Sequence, residues 1–92
     1  MADIPLDEGE ENEVLRSAWI GFTLKLSQNV ETSPNRALIL WAVSSFEFHE
    51  GDPHYATRAY GVVMVGGERY YWSFDKMGAE KVLNVGELSE SS

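Results

Sequence analysis

Two glycines side by side, Gly66-Gly67, stand between Tyr-Gly-Val-Val-Met-Val and Glu-Arg-Tyr-Tyr-Trp-Ser-Phe, and no other feature of this chain restricts its folding as tightly. Both flanks are rich in β-branched and aromatic residues, which favour a pleated, half-buried surface. A two-residue β-hairpin turn needs positive φ at its centre, a conformation free of steric cost only for glycine. The pair therefore predicts a hairpin and its register. With Val65 opposite Glu68, Val63 faces Tyr70, Gly61 faces Trp72 and Ala59 faces Phe74 on one side of the sheet. On the other side Met64 faces Arg69, Val62 faces Tyr71, Tyr60 faces Ser73 and Arg58 faces Asp75, an opposite-charge pair of the kind that supports cross-strand pairing. A three-residue turn with a bulge would exchange the faces.

Around this hairpin the chain reads as an α+β domain with a small antiparallel meander of about four strands, a short N-terminal helix and a short C-terminal helix. Acids at Glu10, Glu11 and Glu13 precede Val14, Leu15 and Ala18, as suits a helix N-terminus. Over residues 18–28 a strand places Ile20, Phe22, Leu24 and Leu26 on one side, although a continued helix also matches. Residues 28–36, with Pro34-Asn35, are turn chemistry. Residues 37–48 begin with seven apolar residues in a row and read as a central strand. Residues 49–54 make a second turn, and Asp75 caps a predicted helix over 76–83 with Gly86 as its stop. The expected organisation is a disordered acidic lead over 1–9, one domain over 10–86 and a disordered tail over 87–92.

Charge narrows the function. Residues 1–13 carry six acids and no base, residues 87–92 add two acids, and the body between them balances seven acids against seven bases. A neutral body lacks the excess of Lys and Arg that displaces counterions from nucleic acid or attracts an anionic membrane surface. Direct nucleic-acid binding and membrane association are therefore not expected. The beginning of the sequence has no basic and apolar signal segment, and no apolar run approaches the length of a membrane span, so a cytoplasmic location is expected. The chain contains no cysteine, which excludes disulfides, thiolate metal sites and thiol nucleophiles.

The motifs that could carry chemistry dissolve on inspection. Glu47, His49, Glu50, Asp52 and His54 are metal-ligand types, but Gly51 and Pro53 interrupt a spacing that fits no metal motif and does make a turn. Ser44 and Ser45 lack the glycine elbow of a nucleophilic serine. The stretch from Gly61 to Gly66 has glycines at the spacing of a phosphate loop, yet Gly67 and Glu68 occupy the places that need Lys and Ser or Thr. Tyr60, Tyr70, Tyr71 and Trp72 with Arg58 and Arg69 suggest a single-strand stacking platform, but two arginines supply little of the positive groove it requires. No catalytic residue, metal or cofactor is expected, and the protein is read as not an enzyme.

What remains is apolarity on both faces of the hairpin. A sheet packed on one side alternates apolar with polar residues. Here one face carries Gly61, Val63, Tyr70, Trp72 and Phe74, and the other carries Tyr60, Val62, Met64 and Tyr71. Either the two terminal helices cover one face each, or a second molecule covers one of them. The leading expectation is a non-catalytic protein-binding module, an adaptor, accessory subunit or inhibitor, that forms a homodimer and meets another protein through Tyr60, Val62, Met64 and Tyr71, with Arg58 and Arg69 at the edge. A second reading is an acidic inhibitor of a nucleic-acid-binding protein whose N-terminal segment mimics phosphate, with a size and acidity shared with small inhibitors made by viruses. A third is a small metal-assisted enzyme at the His49–His54 turn.

Overall fold

The computed structural model describes residues 8–88. In chain order the elements are α1 (Glu8–Ala18), β1 (Thr23–Leu26), α2 (Gln28–Glu31), α3 (Arg36–Ser44), β2 (Tyr60–Val65), β3 (Glu68–Met77) and β4 (Glu80–Glu87). The four strands form one sheet in the order β1-β4-β3-β2. Strands β2, β3 and β4 are an antiparallel meander, and β1 joins β4 in parallel. The α+β class and the N-terminal helix are as expected. The expected lead and tail lie mostly outside the described residues; Glu8 and Gly9 belong to α1, and Glu87 ends β4.

The glycine hairpin adopts the predicted register throughout, from Val65 opposite Glu68 to Tyr60 opposite Ser73. Gly66 and Gly67 have φ of 61° and 84°, the left-handed values that the turn demands. Pairing continues one step further, because the Phe74 N–H donates to the Ala59 carbonyl at 2.8 Å. It stops there: Arg58 has φ of 47° and turns away, so the expected Arg58–Asp75 pair does not form. Asp75 instead accepts a hydrogen bond from Asn84 Nδ2 at 2.7 Å.

Three local expectations are corrected. The predicted strand over 37–48 is instead helix α3 as far as Ser44, followed by a non-regular segment that carries Phe46 and Phe48. Seven successive apolar residues satisfy either period, and Ala and Leu favour helix when packing does not object. Spaced four apart, Ile39 and Val43 point into the core, while Leu38 and Trp41 are 57% and 67% exposed on the other side of the helix. The predicted C-terminal helix is instead the second half of a hairpin. Met77 pairs with Glu80, which leaves Gly78 and Ala79 as a two-residue turn, with Gly78 at φ 65°. A left-handed residue there ends any helix from Asp75, and the alternation of Leu83 and Val85 with Asn84 then completes the sheet. Finally, the strand expected over 18–28 shrinks to β1. Trp19 and Gly21, at φ 59° and 82°, separate it from α1, leaving Phe22, Leu24 and Leu26 packed on the core and Ile20 exposed. The expected loop over 28–36 also contains the single turn α2, whose Val30 N–H donates to the Ser27 hydroxyl.

The main core cluster lies on one side of the sheet, and Val82, 3% exposed, is buried on the other. Val63, Tyr70, Trp72, Phe74, Leu83 and Val85 from the strands meet Val30, Ile39 and Val43 from α2 and α3. Trp72, fully buried, lies across Gly61, where an added Cβ would sit 2.6 Å from its Nε1. Phe46, Phe48 and Phe74 hold the indole by edge contacts at 5.6, 5.8 and 6.2 Å. Gly86 lies under Tyr71 at a similar 2.6 Å, but on the opposite, open face. Position 61 therefore tolerates a methyl group poorly. Gly61→Ala should lower stability by about 1–3 kcal/mol because the indole cannot move; Gly86→Ala should cost distinctly less because Tyr71 can swing outward. Urea denaturation of the two variants checks the order.

Candidate functional site

The sheet has a second face, and its two halves differ. On the β1–β4 half Val82 is buried between Thr23 and Asp75, and the other side chains are polar, two pairs of them hydrogen-bonded: the Thr23 hydroxyl donates to Glu80 at 2.6 Å, and Asn84 donates to Asp75. Lys25 stands exposed beside them. On the β2–β3 half lie Tyr60, Val62, Met64 and Tyr71, which the register places together as expected. Met64 is 67% exposed and Val62 36%. The α2 and α3 residues that pack on the sheet meet only the opposite side, with Trp72 and Leu83, so among the described residues this apolar patch has no helical cover. Tyr71 is half-buried because it lies on Gly86; Tyr60 is half-buried with the His54 ring 5.1 Å away.

The two expected edge arginines part company. Arg69, opposite Met64, is exposed on this face near the hairpin tip. Arg58 is drawn toward α1: its guanidinium lies 3.3 Å from the Glu13 carboxylate and 4.3 Å from the Tyr55 ring centroid. Glu11 similarly pairs with Lys81 at 3.4 Å. Two of the six acids of residues 1–13 thus face the protein's own bases.

Residues 49–54 form a turn in which the His49 N–H donates to the Asp52 carboxylate at 2.8 Å. The segment leads into β2, and Asp52, Pro53 and His54 join Phe46, Phe48, Tyr60, Gly61 and Val62 around an apolar groove beside the start of that strand. Among the described residues no three His, Asp or Glu side chains gather as a metal site.

Arg16, which sequence reasoning passed over, occupies the most unusual environment. It is 1% exposed, and its Nη1 donates to the carbonyls of Val43 at 2.7 Å and Ser44 at 3.3 Å. The guanidinium stacks 4.9 Å from the Trp72 ring centroid and within 6 Å of Phe46 and Phe48. Burial pulls its pKa below the ordinary arginine value; nearby Glu13 opposes that shift and Arg58 adds to it. The carbonyls it serves lie at the C-terminus of α3, where a cation is favoured by the helix dipole; that of Val43 also accepts from the Phe46 N–H at 3.3 Å. This is a structural clamp, since its Nη1 donor is spent on backbone and its plane on aromatic rings. Arg16→Met should destabilise by about 2–4 kcal/mol, because the end of α3 loses a charge-assisted donor and three aromatic rings lose their cation. Arg16→Lys should recover only part of that, because a compact, strongly hydrated ammonium lacks the planar guanidinium that lies among the rings. Chemical denaturation of both variants checks this.

The other feature missed in the sequence is the Leu38 and Trp41 pair on α3, visible only once residues 36–44 are known to be helical. No family model, curated protein or solved structure matches the chain in comparisons with all three. No helix among the described residues is long and apolar enough to cross a membrane.

Proposed function

We propose that this protein is a non-catalytic binding module that engages another protein through the apolar half of its open sheet face, Tyr60, Val62, Met64 and Tyr71, with Arg69 at the hairpin end. One observation carries the reading: α2 and α3 pack on the Trp72 side of the sheet, yet the opposite side keeps a contiguous aromatic and aliphatic patch. Tyr, Met and Arg are enriched at the centres of protein interfaces, where large side chains are desolvated at modest entropic cost. The polar, hydrogen-bonded β1–β4 half forms the rim beside that patch, and the formal net charge of −8 steers the module toward a basic partner surface.

Replacing Tyr71 by serine removes the centre of the patch without touching the sheet edge. Replacing Trp41 by serine alters an equally conspicuous surface on the helical side. Affinity capture from the native host cell, compared across wild type and these two variants at matched folding by circular dichroism, separates the sides. Tyr71→Ser should lose the captured partner, and Trp41→Ser should keep it. A partner that survives Tyr71→Ser, or that is lost on Trp41→Ser alone, overturns the reading.

A further inference from the structure

The two edges of the sheet are built differently. Edge strand β1 has four residues, one of them Lys25, and a short charged edge resists pairing with another chain. Edge strand β2, Tyr-Gly-Val-Val-Met-Val, has six residues and neither charge nor proline. Its hydrogen-bonding direction follows from the register. The Ala59 carbonyl accepts from β3, so in an antiparallel ladder the N–H and C=O groups of Gly61, Val63 and Val65 also turn inward. Those of Tyr60, Val62 and Met64 turn outward to the free edge, where no strand of the described residues lies.

We infer that β2 pairs antiparallel with β2 of a second copy of this chain about a two-fold axis at Val62. The outward groups are symmetric about that residue, so this register places Val62 opposite Val62 of the second copy and Met64 opposite Tyr60 of the second copy. Each outward N–H then meets an outward carbonyl across the axis. Side chains complement in the same way. Beside the start of β2 lies the groove of about 270 Å³ whose walls include Phe46, Phe48, Pro53, His54 and Tyr60, and near its end Met64 protrudes, 67% exposed. A two-fold axis between a groove and a knob on one strand seats each Met64 at the other copy's groove. Thioether and aromatic rings attract. Gly61, which would face Val63 of the second copy, leaves space for the approach. Although the chain carries a net charge of −8, no like charges meet across this ladder, because β2 has none. The result is a continuous eight-stranded sheet whose seam takes Met64 and Tyr60 from the apolar patch and leaves Tyr71 free, so the inference goes beyond the proposed function, and Tyr71→Ser tests that function separately from the seam.

The chain has no native cysteine, which makes a thiol test unambiguous. In a hydrogen-bonded antiparallel pair the Cα atoms are about 5.5 Å apart, within disulfide range. Light scattering on a sizing column should give a dimer for wild type at about 100 μM, and Met64→Lys should weaken it at least tenfold. Mild oxidation should convert Val62→Cys into a covalent dimer and leave Lys25→Cys, on the other edge, monomeric. The inference is overturned by a wild-type monomer at that concentration, including one that takes up a foreign strand peptide instead. It is also overturned by a dimer in which Val62→Cys fails to cross-link, or by cross-linking through Lys25→Cys. Val62→Cys is close to isosteric and leaves the intrachain ladder intact, so folding does not confound the result.

Discussion

The attachment of α1 and α3 to the Trp72 side of the sheet is organised around one buried cation. Arg16 extends from α1 to the end of α3, donates to the last carbonyls of that helix and holds its guanidinium 4.9 Å from the Trp72 ring centroid. Taking a guanidinium out of water is costly, and burial accordingly pulls its pKa down. Charge-assisted hydrogen bonds, the negative end of a helix and three aromatic rings offset that cost together. Because one side chain meets all of these partners, α1 and α3 are fixed on the same side of the sheet as the indole. Lys81 with Glu11 and Asn12, and Arg58 with Glu13, extend the same attachment along α1.

The opposite side of the sheet inherits the consequence. With α1 and α3 committed to the Trp72 face, the other face must be stable against water by its own side chains. The β1–β4 half meets that condition with hydroxyl, carboxylate and amide groups that satisfy one another. The β2–β3 half does not; it presents aromatic and aliphatic surface and an uncharged edge. A small domain that leaves such a surface bare gives up burial it could have used for stability. That concession is understandable where the surface is completed by another molecule, and it links the open face to the edge-paired assembly.

How much of this could be read beforehand depends on what fixes each element. The glycine hairpin is specified within a few residues, since positive φ at Gly66 and Gly67 and the alternation around them leave one register, and the Tyr60, Val62, Met64 and Tyr71 patch follows from it directly. Residues 37–48 are not specified locally. An unbroken apolar run satisfies both periods, and only the positions of Ile39 and Val43 against a sheet formed elsewhere decide for helix. The C-terminal segment misleads in another way: Asp75 resembles a helix cap, but its carboxylate is committed to Asn84 across the β3–β4 ladder, a long-range choice. Arg58 is misplaced for a related reason, because α1 offers it Glu13 as a partner that strand pairing alone does not reveal. Arg16 is invisible to pattern reading altogether, as a polar residue on a helix that looks solvated until α3 arrives beside it.

Binding through the open face requires its apolar half to be bare within a single chain. Methionine oxidation measures this directly, because Met64 lies on that face, and Met77, 60% exposed at the far end of β3, serves as an internal reference. Mild peroxide treatment at about 1 μM protein, dilute enough to disfavour weak self-association, followed by peptide mass analysis gives the two rates side by side. Comparable rates for Met64 and Met77 are predicted. Strong protection of Met64 relative to Met77 at that dilution would mean that the chain already covers this face itself, and would contradict the account.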